Sequence, residues 1–381
     1  MLRIGAVALA FGLCALGQEP APDEIKPLLA AANSSYLHGD YAAALGSYRQ
    51  AWELAKLRPD ADPARYDAPK GISAALAALG QYDAANSNLS LAISWREFTN
   101  GPDDPKIPGD LLQSVMYLKA LKKYDAAVLV LRRVMDLHLR AARSEDANVA
   151  DDHSRLAQVY MAMKLPDTAI GEVNTALAIR TRLAGPLDQS LIFDLDRLGV
   201  LYTQAQAYDK AEEAYRQALT IRESIFGRGD ADLIPDVDGL AYALFGQQKY
   251  DEAEPLYHRL VDLWTASTAE DHPMLAIAWQ KLGVFYFAQK KYDPAKEAYD
   301  KGYAIRTLFL ATGLAEQAAD MLEHTDKPDK PAAIALYRRA LKLLDPPNPV
   351  YKDLSGDIGK IIADLSKPSN AHWQSAPPAK K

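Results

Sequence analysis

The chain has 381 residues, 49% hydrophobic and 24% charged, which is the composition of a folded globular protein and not of a disordered one. Its formal net charge is −7 and no run of basic residues appears. Binding to nucleic acid is therefore disfavoured, because that affinity rests on clustered Lys and Arg that displace counterions from phosphates.

Taken from the start, Met1 to Gly17 reads as a secretory signal: Arg3 supplies the charged beginning, Ile4 to Leu16 the apolar stretch, and Ala15 and Gly17 the small residues before Gln18. The expected location is periplasmic or extracellular. An uncleaved membrane anchor is the alternative, although the apolar run falls short of the roughly 20 residues of a spanning helix. Leu13 stands where a lipoprotein signal carries Gly, Ala or Ser ahead of its cysteine, which speaks against lipidation at Cys14. Cleavage after Gly17 removes that single cysteine, so the mature chain has neither a disulfide nor a thiol nucleophile.

From residue 18 to 345 the chain repeats itself. Tyr41, Tyr82, Tyr124, Pro166, Tyr208, Tyr250 and Tyr292 open related segments, the first step being 41 residues and every later one 42. Tyr208-Asp209-Lys210-Ala211, Tyr250-Asp251-Glu252-Ala253 and Tyr292-Asp293-Pro294-Ala295 read as helix starts. The Asp is expected to cap the helix, Glu212 and Glu254 to complete a capping box, and Pro294 to suit the first helical position.

Behind each start, Ala211, Ala214, Tyr215, Ala218 and Arg222 form one stripe at helical spacing, and Leu195, Leu198, Gly199 and Tyr202 form another ahead of it. The short connection from Gln204 to Tyr208 makes the two helices an antiparallel pair. Gly199 and Ala211, like Ala157 and Ala169 or Gly283 and Ala295, allow the paired helices to approach closely. Tyr160, Tyr202 and Tyr286, with Tyr215, Tyr257 and Tyr299, are expected to fill the joints between hairpins. Second helices thus begin near 41, 82, 124, 166, 208, 250 and 292, and an eighth near 330, where Ala333, Tyr337 and Ala340 repeat the stripe after an irregular link at Thr325 to Lys330. Residues 346–365 read as a capping helix from Asp353 to Leu365, and 366–381 as a flexible tail.

Signatures of catalysis are missing: there is no His-Glu-x-x-His, Gly-x-Ser-x-Gly, Walker loop or dinucleotide fingerprint. The seven histidines are scattered without ligand spacing. Asp151-Asp152-His153 falls where a first helix should begin, so it reads as capping. No cofactor, metal or catalytic residue is expected, and the chain is not expected to be an enzyme.

Leu198-Gly199, Tyr202, Ala211, Tyr215 and Ala218 resemble the signature of tetratricopeptide repeats. The resemblance departs from the family in its 42-residue unit, in Leu195 where the family has an aromatic, and in lacking the closing proline. The longer helices and links, as from Ile221 to Asp238 or Trp264 to Pro273, are similar to the kinesin light chain variety.

The resemblance implies an all-α, right-handed solenoid of about eight hairpins, whose first helices line a concave groove that receives a peptide or partner protein. Carried onto this chain, the groove positions are Asn33 and Tyr36; Met116 and Lys119; Gln158 and Met161; Asp196, Val200 and Thr203; Asp238, Tyr242 and Phe245; and Gln280, Val284 and Phe287. This implies an acidic middle at Asp196 and Asp238 beside an apolar patch at Tyr242, Phe245, Val284 and Phe287, suited to a peptide with apolar and basic groups. In the other reading the aromatics complete the packing and Asp196 pairs with Arg155 or Arg197. A structural envelope subunit docking through its ends or convex side is the alternative function.

Overall fold

The computed structural model describes residues 24–59, 62–142, 144–269, 271–323, 329–344 and 352–367. The predicted signal segment, residues 346–351 and residues 368–381 lie outside them, as does most of the Thr325–Lys330 link. The described residues are helical throughout, without a strand, and fall into two compact units, Met1–Gly185 and Pro186–Lys381.

The first unit holds α1 (Ile25–Leu37), α2 (Tyr41–Ala55), α3 (Ala64–Ala78), α4 (Tyr82–Asn100), α5 (Ile107–Ala120), α6 (Tyr124–Ala142), α7 (Ala147–Ala162) and α8 (Pro166–Ala184). These pair as four consecutive hairpins, each packed on the next. The second unit holds α9 (Ile192–Gln204), α10 (Tyr208–Phe226), α11 (Ile234–Gly246), α12 (Tyr250–Ser267), α13 (Pro273–Ala288), α14 (Tyr292–Glu323), α15 (Lys330–Leu343) and α16 (Lys352–Leu365).

The seven hairpin turns from Gly39 to Lys290 are built alike. The first helix ends in a residue with φ between 56° and 82°, which is Gly39, Gly80, Lys122, Lys164, Gln206, Gln248 or Lys290. Around Gln206 the amide of Ala207 donates to the carbonyl of Tyr202 at 2.9 Å and that of Gln206 to Thr203 at 3.1 Å, the pair of bonds that closes a helix with a left-handed residue. The same two bonds recur at Lys249 to Leu244 (2.9 Å) and Gln248 to Phe245 (2.9 Å). Five of the seven positions carry Lys or Gln, so the turn geometry is held by its hydrogen bonds against the cost of a side chain at positive φ.

The helix starts differ from the capping expectation. Each second helix begins at its anchor, so Asp209, Asp251 and Asp293 sit inside the first turn, where they favour the helix dipole, and the preceding Ala207 and Lys249 give no side-chain cap. Pro294 is the third helical residue. Glu212 and Glu254 bond across hairpins instead of capping: Glu212 accepts from Gln247 and Lys249, each at 2.8 Å, and Glu254 from Tyr286 at 2.8 Å. The link after α10 is also shorter than expected, occupying only 227–233, with a single helical turn at Ala231–Leu233 capped by Asp230.

Packing follows the stripes. Ala211, Tyr215, Leu240, Ala253, Tyr257, Leu282, Phe285 and Ala295 belong to one buried cluster of the second unit. Gly199 faces the ring of Tyr215, not the backbone of α10: a Cβ there would stand 2.5 Å from the ring. In the second unit α14 runs unbroken from Tyr292 to Glu323, so no link separates the second helix of the seventh hairpin from the first helix of the eighth. Ala304, Ala311, Ala333, Tyr337, Ile358 and Leu365 form the last cluster, in which α16 packs with α15 and the later part of α14.

Candidate partner-binding face

In the first unit, the residues singled out in the sequence lie on α1, α5 and α7, and none is buried. Asn33 is exposed and accepts the Tyr48 hydroxyl at 2.5 Å, while Tyr36 lies edge-on to Tyr41 with centroids 5.2 Å apart. Met116 is 63% exposed, and Lys119 donates to Gln158 at 3.4 Å, which ties α5 to α7. Met161 is half-buried.

Sequence reasoning missed α3. A cavity of about 610 Å³ opens beside Asn33 and Tyr36, lined also by Tyr48, Tyr66, Lys70 and Ala74. Its wall on α3 includes Gly71 and Ala74, where the 42-residue step places Gln113 and Met116 on α5. The Tyr48 ring lies against Gly71, well inside the distance at which a Cβ could be accommodated. The run Gly71 to Ala78 was the available signal: small residues at face positions leave a hollow where neighbouring repeats carry larger side chains.

The second unit brings together α9, α11 and α13. Val200, Tyr242 and Val284, one step apart, are 41%, 46% and 51% exposed, and Phe287 is 58% exposed. Tyr242 stands edge-on to Tyr208 at 6.1 Å and Phe287 to Tyr292 at 5.7 Å, which holds both rings against the hairpin turns. Phe245 is half-buried between Tyr250 and Phe285, each 6.0 Å away, so it belongs partly to the core. Thr203 and Gln280 are half-buried at the edges of this strip.

The acids of the middle are not free. Asp196 accepts both terminal nitrogens of Arg222, at 3.0 and 2.5 Å, and Asp238 accepts Lys281 at 2.6 and 2.5 Å. The partner of Asp196 is thus neither Arg155 nor Arg197. With each acid matched by a cation of the same unit, the strip offers apolar and aromatic surface with paired charges, and the expectation of unpaired acids awaiting basic groups is corrected.

A further regularity lies behind the face. Asp110, Asp152, Asp194 and Asp236 recur at 42-residue steps on the first helices and are at most 4% exposed. Asp110 meets Lys70 at 2.7 Å and Arg96 at 3.7 Å; Asp152 meets His138 at 2.6 Å and Arg155 at 3.1 Å; Asp236 meets Arg222 at 2.5 Å. Capping is therefore the wrong account of Asp151-Asp152-His153. Helix α7 starts at Ala147 with Asp146 as its cap, and Asp152 is a wholly buried link to α6. Burial pushes its carboxyl up from the ordinary range, against the pull of His138 and Arg155.

Among the described residues no group of three or more His, Cys, Asp or Glu is placed to hold a metal ion, and no helix is long and apolar enough to cross a membrane.

The sequence profile of the tetratricopeptide repeat matches residues 149–224 and 234–308. Among solved structures, the chain is similar to the C-terminal part of a TPR repeat-containing protein from Cytophaga hutchinsonii, at 15% identity over 89% of this chain and 99% of that one, with a TM-score of 0.50. BtubC (BKLC) from P. vanneervenii matches at 18% identity over 59% of this chain and 91% of that one, with a TM-score of 0.49. None of the curated proteins matches the sequence. The profile match identifies residues 149–224 and 234–308 as tetratricopeptide repeats, within a chain whose described residues form an all-α fold of repeated helical hairpins.

Proposed function

We propose that the chain is a non-enzymatic adaptor that holds an extended peptide, or a helix of a partner protein, on the face of its first helices. The fold supports a protein-interaction scaffold in general. The observation that carries the finer reading is the strip of Val200, Tyr242, Val284 and Phe287, exposed apolar side chains kept in register by the repeat where solubility alone would favour polar ones. Because Asp196 and Asp238 are already matched by Arg222 and Lys281, the strip favours a ligand whose apolar side chains, and not its cationic ones, supply the affinity. On the reading of the N-terminal segment as a signal, the protein meets that ligand outside the cytoplasm.

The test is selection of a displayed random-peptide library on the wild-type chain, followed by affinity measurement on Tyr242→Ser/Phe287→Ser. Selected peptides should be rich in apolar residues and should lose at least about tenfold in affinity for the variant, the loss of one or two buried aromatic contacts. Equal affinity for both proteins would remove this face as the binding site.

A further inference from the structure

The buried aspartates are not equally provided for. Asp110 has two cations, Lys70 and Arg96, and Asp152 has two, His138 and Arg155. Arg155 stands three residues beyond Asp152, and the same position beyond Asp194 is Arg197, 3.8 Å from it. Beyond Asp236 that position is Gly239, a residue kept without a side chain by the ring of Tyr215. Among the described residues, the cation that meets Asp236 is therefore Arg222 alone, at 2.5 Å.

Arg222 is also shared. In the first unit Arg180 donates to the hydroxyl of Ser154 at 3.1 Å. One 42-residue step later the corresponding pair is Arg222 and Asp196, so a second carboxylate stands where the earlier repeat has a neutral hydroxyl. Two acids face one guanidinium. Asp236 is wholly buried, and apart from the Arg222 guanidinium, whose Nη1 stands 2.5 Å from one carboxylate oxygen, no donor among the described residues reaches it. A carboxylate in that state is costly, and the cheapest remedy is a proton, which turns one acceptor into a donor toward its neighbouring carboxylate.

We propose that Asp236, which shares Arg222 with the Asp196 carboxylate, keeps its own proton, and that losing it weakens the joint of α9, α10 and α11 behind the exposed strip. The other groups near the pair do not supply the missing charge. Asp238 is neutralised by Lys281 of α13, Asp194 and Arg197 face each other on α9, and Tyr215 of α10 brings a phenol that burial pushes up, away from ionisation. Burial also pushes the carboxyl of Asp236 up to about 7, with the negative charge of Asp196 acting in the same direction and Arg222 opposing.

The sign follows from linkage. Between the ordinary aspartate value of 3.8 and about 7, the folded chain keeps a proton that the unfolded chain has released. Stability therefore falls as pH rises through that window, and no further loss from this group occurs above it. The proton would make this joint responsive across neutral pH, whereas Arg222 itself stays charged at any physiological pH.

The experiment is urea denaturation of the full chain from about pH 5 to 8, for wild type, Asp196→Ser and Asp236→Asn, with the infrared carbonyl stretch of protonated carboxylic acids followed over the same range. The wild-type unfolding constant should rise by up to about tenfold per pH unit below pH 7, the limit for one proton. Both variants should lose that slope, and the infrared band of a protonated acid persisting near pH 6 should vanish in Asp236→Asn. Asp196→Ser restores the residue type found one repeat earlier, so it keeps the test informative if Asp236→Asn folds poorly. A wild-type slope retained in Asp196→Ser, or the absence of a protonated carboxyl near pH 6, overturns the proposal. Neither readout depends on a ligand, so the outcome is separate from that of the peptide-binding reading.

Discussion

The ring of Tyr215 occupies the space that Gly239 leaves empty, and the same ring also faces Gly199, so one side chain of α10 is held between glycines of α9 and α11. Tyr215 is 7% exposed, and its position sets how closely the two hairpins approach.

Gly239→Ala should destabilise the second unit by roughly 1 to 3 kcal/mol, since the new methyl would stand too close to the ring of Tyr215, which would have to shift. Urea denaturation measures this, and the penalty should shrink in a Tyr215→Leu background. An additive double mutant would show that the ring is not what Gly239 accommodates.

Gln206→Gly should stabilise the protein by about 1 kcal/mol, because Gln206 holds φ at 57° where glycine has no steric cost and its side chain is exposed. Thermal unfolding of the single variant and of a combined Gln206→Gly/Gln248→Gly chain checks it. Gln206 is the cleaner site, since the Gln247 beside Gln248 bonds to Glu212 and Tyr208.

Arg222→Met should cost on the order of 3 to 5 kcal/mol at pH 8, where it strands a buried carboxylate, and less at pH 5. Lys281→Met removes a pair that is 41% and 33% exposed and should cost less than about 1 kcal/mol. Similar costs for the two would contradict the difference in burial between the two pairs.

Glu212 governs the acid side. Although burial acts to raise it, bonds from Lys249, Arg216 and Gln247 hold its carboxyl at about 2, well below 4.5. Its contribution is complete above about 4.5 and is lost as pH falls toward 2, so Glu212→Gln should lower stability at neutral pH and flatten the acid limb of the stability profile. Denaturation midpoints between pH 2 and 6 (about the accessible range for this limb) measure the effect.

Most of the local architecture was legible. Turns, helix starts and stripes depend on residues a few positions apart, and the anchors from Tyr41 to Tyr292 coincide with the beginnings of α2, α4, α6, α8, α10, α12 and α14. The exposure of the carried-over face positions was legible in part: Met116, Val200, Tyr242, Val284 and Phe287 are exposed, whereas Tyr36, Thr203, Phe245 and Gln280 are half-buried. The hollow at Gly71 and Ala74 was overlooked because small residues were read only as packing residues.

The amino-acid sequence by itself determined the repeat, the helical hairpins and some of the exposed positions, because helical periodicity and the step of 42 residues are properties of the chain read in order. Which charges meet was decided only by tertiary structure. Arg222 reaches Asp196 across 26 residues and Lys281 reaches Asp238 across 43, and such pairings depend on how successive helices sit side by side. The same holds for Asp152, which reads as a helix cap in sequence and is a buried partner of His138 in space. A carboxylate has the same letters in either setting; burial and the nearest cation decide whether it caps, pairs or keeps a proton.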